Sequence, residues 1–298
     1  MEYLKDNMNK KVAIVILNYK NPSDTIECVK SIQCSSYKNY NIFIVDNNSM
    51  DGSFEQLEKT YPQYQVYETG NNGGYAAGNN FAIKIALKQN YDYVAIVNND
   101  VIVEKDTLKT LVDYLNQNCQ VGIVGPKICN YPDTEIIQSM GFRVILEKGR
   151  TPAINEGKKA SSVHSIVSCD ALCGAFMLIR REVLQRVGLM PELYFLFFEE
   201  TDWCLHVKNA GFLIQSIPSA IVYHKGSASI DKVKGLKLYY MSRNAALFVR
   251  RNGSNFQLLV FILYSVLRNI YHILVKHEHY DEVINLKGFI IGLTMKKK

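Results

Sequence analysis

The feature that most constrains the fold is an alternation, over the first half of the chain, of short apolar β-rich runs with longer stretches of helical spacing. Strands alternating with helices form βαβ units, in which a largely parallel sheet lies buried between helices. The predicted strands cover 12–17, 42–45, 65–67, 93–97 and 121–124; the predicted helices cover 23–33 (capped by Ser23 or Asp24), a stretch from 53, 76–89 and 105–116. The sequence therefore predicts an α/β fold.

The second half of the chain has a weaker pattern. Between 126 and 167 no clear period is present, so no element is predicted there. An apolar block over 171–179 precedes a helix over 181–187, and a helical stretch over 203–209 follows a group of acids. A short strand over 221–223 and helices over 236–251 and 256–275 complete the pattern.

The cysteines and the first residues indicate a compartment. The seven cysteines are odd in number and show no paired C-x-x-C spacing, which argues against a disulfide framework or a structural zinc site. The N-terminal residues carry interspersed charges where a secretory signal would have an apolar stretch. We therefore expect reduced thiols and a cytoplasmic protein.

The positive charge of this chain is concentrated at one end. Residues 232–298 contain 12 Lys and Arg against three acids, whereas the rest of the chain has 22 against 25. A nucleic-acid-binding protein would spread basic residues over a reading surface, interleaved with aromatic residues. The charge pattern therefore disfavours nucleic acid as a partner.

The stretch 256–275 is 20 residues long and mostly apolar, which is the length of a membrane-spanning helix. Arg268 and His272 near its middle argue against spanning. Its polar residues recur every three or four positions and form a stripe on one face: Gln257, Ser265, Arg268, Asn269, His272 and Lys276. This pattern predicts a helix lying in the membrane interface, aided by the basic tail. Packing on the catalytic body or on a second subunit remains the alternative.

Polar residues follow each of the first four predicted strands. Ligands of open α/β sheets bind outside the carboxyl ends of the strands. Each polar residue alone also fits a cap or a turn, but agreement at four strand ends favours a binding site. The strand ends carry Asn18 and Tyr19, then Asp46 to Asp51, then the glycine-rich loop 70–80, then Asn98, Asn99 and Asp100.

The glycine-rich loop 70–80 does not match a known nucleotide fingerprint. Its glycines miss the G-x-G-x-x-G spacing, it follows the third strand, and it lacks the Gly-Lys-Ser/Thr ending of a P-loop. These departures weaken the interpretation of the chain as a dehydrogenase or as a nucleoside triphosphatase.

Seven motifs occur in an order and spacing that resemble family 2 glycosyltransferases, in particular their rhamnosyltransferase-like branch. The resemblance covers about residues 11–251. The motifs are 12–19, Val-Asp-Asn-Asn-Ser-Met-Asp-Gly-Ser over 45–53, 72–80, Val-Asn-Asn-Asp over 97–100, 174–181 with its Gly-Ala-Phe and Arg-Arg, Phe-Glu-Glu-Thr-Asp-Trp-Cys over 198–204, and His224.

The resemblance implies a fold and an activity. The expected fold is of GT-A type: a Rossmann-like nucleotide-binding domain with a mixed, mainly parallel central sheet, plus C-terminal amphipathic helices. The expected domains are a catalytic domain over 1–250 and a basic amphipathic tail over 251–298. The family transfers a sugar with inversion from a nucleoside-diphosphate donor to a hydroxyl. Here we expect a dTDP- or UDP-sugar, dTDP-rhamnose among them, a glycan or lipid-linked acceptor, and peripheral association with the inner face of the cell membrane.

The resemblance also implies catalytic and metal-binding residues. The catalytic base corresponds to Glu200, and Glu199 and Asp202 would orient the acceptor or the loop. The Asp-x-Asp motif of the family corresponds to 98–100, where only Asp100 is a carboxylate. Asp100 and His224 would hold Mn²⁺ or Mg²⁺, with diphosphate oxygens and water completing the shell.

The remaining predicted residues concern the donor. The expected nucleotide-sugar contacts are Asn18, Tyr19, Asp46, Asn48, Asn72, Gly73, Asn80, Asn98, Asn99, Asp100 and Arg243. Asp46 would accept a hydrogen bond from a pyrimidine ring, and Arg243 would meet the diphosphate. Two alternatives stay open from the sequence alone: a sugar-phosphate nucleotidylyltransferase, and a catalytically silent nucleotide-sugar-binding scaffold.

Overall fold

The computed structural model describes residues 10–226, 235–276 and 279–297. Ten strands are present in these segments: β1 (Val12–Asn18), β2 (Tyr40–Asp46), β3 (Gln65–Glu68), β4 (Tyr93–Asn98), β5 (Val101–Val103), β6 (Val121–Asn130), β7 (Ile137–Ser139), β8 (Val167–Ser168), β9 (Phe176–Arg180) and β10 (Leu213–His224). The helices are α1 (Pro22–Gln33), α2 (Ser53–Thr60), α3 (Gly74–Lys88), α4 (Thr107–Gln117), α5 (Arg181–Val187), α6 (Glu199–Asn209), α7 (Leu236–Asn252), α8 (Asn255–Tyr271) and α9 (His279–Thr294).

The strands form one mixed sheet in the order β3-β2-β1-β4-β9-β6-β10-β5, with β7 beside β6 and β8 beside β10. The long ladders β1–β2, β1–β4 and β6–β10 are parallel, whereas β9 runs antiparallel between β4 and β6. The chain order reverses between β1 and β4. Such a switch point opens a crevice beyond the carboxyl ends of the two strands, where α/β sheets bind ligands.

Two apolar layers cover the sheet. Alternate residues of β1 point to opposite faces, so Val12 and Ile14 pack against α1, α2 and α4, whereas Ala13 and Val15 pack against α3, α5 and α6. Strands that are apolar on both faces fit the continuous apolar runs of the sequence. The predicted α/β class and the mainly parallel sheet are confirmed.

The C-terminal helices build a third apolar cluster beside the sheet. Tyr194 and Phe198 pack there against α7, α8 and α9. Gly288 and Gly292, four residues apart on α9, let its backbone approach α7: a Cβ at Gly292 would lie 2.0 Å from the Arg243 carbonyl oxygen. Helix α7 also crosses the boundary predicted at 250/251, so the division into 1–250 and 251–298 stays a prediction.

Several predicted boundaries need correction. The cap of α1 is Asn21, whose side chain accepts from the backbone of Asp24, and neither Ser23 nor Asp24 is the cap. Strand β6 continues six residues beyond 124 because its second half pairs with β7 and β10. Helix α6 begins at Glu199 and includes the acids, and α8 ends at Tyr271 before a π-helical turn over His272–Lys276. Residues 227–234, within a loop expected to contact substrate, lie outside the described segments.

Candidate active site

The first part of the site is a turn after β2 built around the carboxylate of Asp46. One oxygen accepts from the backbone N–H of Ser49 at 2.7 Å, and the other accepts from the Ser49 hydroxyl at 2.7 Å and from Asn18 Nδ2 at 2.6 Å. The Thr25 hydroxyl donates in turn to Asn18 Oδ1 at 2.7 Å. All four residues are buried. Asp46 therefore orients the ends of β1 and β2, and its predicted contact with a nucleobase stays a prediction.

A second hydrogen-bonded turn joins the glycine-rich loop to this edge. Asn47 Nδ2 donates to Asn72 Oδ1 at 2.9 Å, and the same oxygen accepts from the backbone of Gly74 at 3.0 Å. Gly74 has φ +86°, and a Cβ there would lie 2.1 Å from the carbonyl oxygen of Phe195. Only glycine permits this approach, which brings the loop before α6 against the start of α3.

The third part is the pair of Asp100 and His224, which sheet pairing brings together. Asp100 precedes β5, His224 ends β10, and the antiparallel ladder sets His224 opposite Val101. His224 Nε2 lies 3.2 Å from Asp100 Oδ1, and His224 Nδ1 lies 2.7 Å from Gln138 Oε1. Because an amide oxygen only accepts, Nδ1 carries a proton, and Nε2 is the ring nitrogen that faces the carboxylate.

This pair fits a divalent cation chemically. His224 Nε2 is buried and makes no hydrogen bond to any residue of the described segments, and the atom it faces is a carboxylate oxygen, an acceptor. Two acceptors at this separation require a shared proton or a cation between them. A carboxylate with an imidazole suits Mn²⁺, and Mg²⁺ would rely more on oxygen ligands from a diphosphate. In the described segments no third His, Cys, Asp or Glu joins the pair, so other ligands would have to come from substrate or water.

The fourth part is the acidic start of α6. Phe195, Phe197 and Phe198 hold left-handed backbone angles of φ 65°, 69° and 74°, an unfavourable conformation for aromatic residues. This backbone turns the chain sharply into Glu199 and Glu200. Burial raises the pKa of Glu200 to about 7. Burial and the charge of Glu200 raise the pKa of Glu199 well above its usual range, so Glu200 is the acid of the two that ionises near neutral pH.

Helix α7 holds the aromatic loop from behind. Asn244, which is buried, donates through Nδ2 to the carbonyls of Leu196 and Phe197 at 2.6 and 2.9 Å. Arg243 donates to the carbonyls of Leu193, at 3.4 Å, and Tyr194. Its guanidinium therefore supports the aromatic loop, and its expected contact with a diphosphate stays a prediction.

The carboxylate of Asp202 is buried in an ion pair and is not exposed to solvent. Its buried carboxylate accepts from Arg251 Nε at 2.9 Å and from the amide of Asn252, both at the end of α7. This ion pair ties the first turn of α6 to the C-terminal helices. Of the two roles predicted for Asp202, orienting the loop agrees with this contact.

The charges of the α6 acids and of Asp100 raise the pKa values of the same neighbouring side chains. Burial and, secondarily, the charges of Glu200, Glu199 and Asp100 raise the pKa of the Tyr75 phenol well above its usual range. Burial, with smaller contributions from Glu200 and Asp100, raises the pKa of the Cys173 thiol to about 12. The Tyr75 hydroxyl donates to the Gly174 carbonyl at 2.7 Å, which positions it between the two groups of acids.

The other predicted donor contacts fall in different places. Asn80 is buried: Nδ2 donates to the Met190 carbonyl at 2.8 Å and Oδ1 accepts from Met190 N at 3.2 Å. Its donor contact stays a prediction. Asn99 turns toward α1 and donates to Asn21 and Thr25. Tyr19 is 38% exposed, and Asn48, Gly73 and Asn98 are partly exposed at the strand ends. These last four remain predicted contacts.

Sequence reasoning missed residues that support the site. Gln138 lies in the region without a predicted element, so nothing indicated that it would reach His224. Tyr75 stands inside the motif over 72–80, and Asn244 stands beside Arg243 in a cluster that matches family positions, but neither was predicted to support the site. Asn47 and Ser49 stand in the turn itself, where an Asp followed by Ser three residues later is a common turn pattern.

Comparisons with known proteins agree with the geometry. The family model described as Glycosyl transferase family 2 matches residues 13–188, which is more than half of the chain. The dTDP-rhamnosyl transferase RfbF of Shigella flexneri is 25% identical over 268 residues, covering 82% of each chain. The N-acetylglucosaminyl-diphospho-decaprenol L-rhamnosyltransferase of Mycobacterium tuberculosis is 24% identical over 266 residues, covering 83% of this chain and 87% of that one.

Two further matches cover less of the related protein. The low-salt glycan biosynthesis hexosyltransferase Agl10 of Haloferax volcanii is 26% identical over 212 residues, and the match spans 64% of its length. The crystal structure of GalNAc-T7 with UDP, GalNAc and Mn²⁺ superposes with a TM-score of 0.64 at 14% identity, covering 95% of this chain and 56% of that one. The family match sets aside the nucleotidylyltransferase alternative. The chain belongs to glycosyl transferase family 2 and is a glycosyltransferase.

Proposed function

We propose that this chain transfers a sugar from a dTDP- or UDP-sugar to a hydroxyl of a lipid-linked glycan at the cytoplasmic face of a membrane, with Glu200 as the general base. The observation that carries the proposal is the pKa of Glu200, which burial raises to about 7. The charges of Glu200 and Asp100 both act on Tyr75 and Cys173. The names of the relatives support the substrates, since one is a dTDP-rhamnosyl transferase and another acts on a diphospho-decaprenol acceptor.

The chemistry of the proposed site follows from its charges. An acceptor hydroxyl must lose a proton as it attacks, and a carboxylate with a pKa near the working pH removes it efficiently. Burial and the charge of Glu200 raise the pKa of Glu199, which disfavours a second negative charge next to the incoming oxygen. The Asp46 turn and the Asn72 and Gly74 loop would then position the donor at the carboxyl ends of β1 and β2.

A divalent cation is part of the proposal. Asp100 and His224 would hold it, and when bound it would stabilise the negative charge of the departing nucleoside diphosphate. Gln138 would fix the His224 ring so that Nε2 keeps its lone pair, the role of an outer-shell partner at metal sites.

Replacing Gln138 with Ala should weaken Mn²⁺ binding about 10-fold or more, because the ring of His224 loses the partner that sets its tautomer. The measurement is a calorimetric titration of Mn²⁺ into the chain saturated with UDP or dTDP. Asp100→Ala should abolish the signal, and Gln117→Ala, an exposed glutamine at the end of α4, should leave it unchanged. Equal affinities for Gln138→Ala and wild type would contradict this role.

The proposed membrane contact rests on the orientation of α8. Residues Asn255–Val275 form a helical segment long and apolar enough to cross a membrane, but only 17% of its most apolar window is buried. Its polar side chains Ser265, Asn269 and His272 face the rest of the protein, and apolar side chains such as Leu263 and Leu267 face outward. A helix packed on a soluble core has the opposite arrangement, with its apolar face turned inward and its polar face turned outward. An outward apolar face beside a basic tail fits an anionic lipid surface.

A Leu263→Glu, Leu267→Glu double variant should lose binding to vesicles of phosphatidylglycerol and phosphatidylcholine by about 10-fold or more. Both side chains are more than half exposed, so the fold should tolerate the change while the apolar face gains two charges. Co-sedimentation measures the fraction bound to the vesicles. The matched control is Ile166→Glu, at an exposed apolar position outside the C-terminal helices. Unchanged sedimentation of the double variant would rule out α8 as the membrane contact.

A further inference from the structure

A cavity of about 700 Å³ lies between the C-terminal helices and the segment 148–152. Helix α7 contributes Met241 and Ser242, α8 contributes Tyr264 and Arg268, and α9 contributes Asn285 and other residues. One wall is Phe198, the residue directly before Glu199 and Glu200. The cavity is therefore lined by the residue that immediately precedes the acids of the candidate active site.

The floor of the cavity contains a buried carboxyl group, that of Glu282. Glu282 is 3% exposed, its Oε1 accepts from Asn285 Nδ2 at 3.0 Å, and its Oε2 has no hydrogen-bond partner among the residues that the structure describes. His272 Nδ1 lies 3.8 Å from the same Oε1, and Asn269 is also buried. An unpaired buried carboxylate oxygen is costly for the folded chain. A ligand with several hydroxyl or amide groups would satisfy it, since a carboxylate accepts from such donors.

Three of the four exposed charged side chains that line the cavity are basic, and the fourth is Asp281. Lys148, Arg150 and Arg268 line it and are exposed, and within the described segments none of the three forms an ion pair with an acidic side chain. Lys148 lies over the ring of Tyr264, 5.9 Å from its centroid. Three cations without carboxylate partners at the mouth of a cavity favour a phosphate or diphosphate ligand.

The outer surface of the same helices is apolar. Leu259, Leu263 and Leu274 of the α8 segment are more than half exposed, as are Val283 and Ile290 of α9. A ligand with its polar head in the cavity would therefore have an apolar surface beside it for a hydrocarbon chain.

We propose that this cavity binds the head group of an isoprenoid-diphosphate-linked sugar acceptor, with its sugar against Glu282 and Asn285 and its diphosphate at Lys148, Arg150 and Arg268. The assignment deepens the proposed function and rests on it for the identification of the occupant as the acceptor. The cavity supplies three complementary regions: acceptor groups for sugar hydroxyls on the floor, cations for phosphate at the rim, and apolar helix faces outside. The sugar end would enter nearest to Phe198, toward Glu200.

The test is calorimetric binding to the full chain of two probes: N-acetylglucosaminyl diphosphate on a farnesyl chain, and farnesyl diphosphate without the sugar. Glu282→Gln should weaken the sugar-bearing probe 10-fold or more and leave the sugar-free probe unchanged. Arg268→Gln should weaken both. Glu182→Gln and Arg186→Gln in α5, outside the cavity, are the matched controls and should bind both probes as wild type does.

Binding of UDP and dTDP to every variant separates the two proposals. Unchanged nucleotide binding with weakened probe binding supports the cavity. Wild-type chain that binds a nucleotide but neither probe overturns the cavity assignment, and so do Glu282→Gln and Arg268→Gln chains that bind the probes as wild type does. If the wild-type chain binds neither UDP nor dTDP, the donor site is contradicted. The probe results would still decide whether the cavity binds the acceptor head group. Arg268 is exposed, so its variant remains informative if Glu282→Gln does not fold.

Discussion

Replacing Glu200 with Gln should lower sugar transfer at least about a thousandfold while leaving the binding of UDP or dTDP within about twofold of wild type. The amide keeps the size of the side chain but cannot take a proton from an acceptor hydroxyl, and general-base catalysis contributes roughly 10²–10⁴-fold. The nucleotide would lie at Asp46 and Asp100, which the substitution does not touch. Initial rates of transfer and calorimetric titration of the nucleotide give the two measurements.

The pH dependence of sugar transfer tests the role of Glu200 independently. The base is active when ionised, and burial raises the pKa of Glu200 to about 7. Transfer should therefore increase as the pH rises through about 7, far above the 4.5 of an ordinary glutamate. Because the folded chain holds this proton more tightly than the unfolded chain does, folding stability falls as the pH rises from about 4.5 to about 7, and the loss is complete above that range. Glu200→Gln should then be at least as stable as wild type at pH 8, which excludes misfolding as the cause of lost transfer.

Glu199→Gln is the matched control for the neighbouring acid. Burial and the charge of Glu200 raise the pKa of its carboxyl and so favour the neutral form, and an amide in its place should reduce transfer much less than Glu200→Gln does. Full activity of Glu200→Gln would assign the base to another residue. Nucleotide binding by wild type without transfer to any acceptor would favour a silent nucleotide-sugar-binding scaffold.

Asp202→Ala should destabilise the fold by about 3–5 kcal/mol, because it leaves the partly buried guanidinium of Arg251 without its carboxylate. Asp202 is buried, and its side chain joins the start of α6 to the end of α7. The single tryptophan of the chain, Trp203, is buried next to it and donates to the Gly188 carbonyl at 2.9 Å. Its fluorescence during urea unfolding therefore reports on this region directly.

The exposed ion pair of Lys109 and Asp113 in α4 provides the control for this effect. Both side chains are about half exposed, and pairs of this kind contribute about 0–1 kcal/mol. Asp113→Ala should therefore change the unfolding free energy by less than about 1 kcal/mol. Equal costs for Asp113→Ala and Asp202→Ala would contradict the structural role assigned to Asp202.

The fold was predictable because its strands are buried on both faces. Continuous apolar runs identify β1, β2 and β4 with ends within two residues of those observed, and the polar strand ends identify the edge that binds ligands. The pair of Asp100 and His224 was predictable only through the family motifs. The residues lie 124 positions apart in the sequence, and the ladder of β5 and β10 that joins them has no local signal.

Residue contacts within the site were less predictable. Asn80 and Arg243 stand in polar motifs that suggest a ligand, but Asn80 bonds the buried Met190 backbone and Arg243 bonds loop carbonyls. Residue type does not distinguish a polar group that meets a ligand from one that satisfies a buried backbone. Gln138 reaches His224 from a segment without periodicity, so only the three-dimensional arrangement reveals it.

The sequence predicted the C-terminal helices only in part. The polar stripe of α8 was visible in the sequence, but its direction was not, and the structure turns it toward a cavity. The missed helix α9 packs closely on α7 through Gly288 and Gly292. This glycine spacing was a usable signal, because two glycines four residues apart allow two helix backbones to approach.

The central claim is that one edge of the sheet binds a nucleoside diphosphate with a cation while Glu200 acts on the acceptor. The most direct test is calorimetric titration of UDP and dTDP, each with Mn²⁺, Mg²⁺ or EDTA, into wild type, Asp100→Ala and Glu200→Gln. We predict cation-dependent binding of one nucleotide to wild type and Glu200→Gln, and its loss in Asp100→Ala. Absence of binding to wild type, or binding that Asp100→Ala retains in full, would contradict the site.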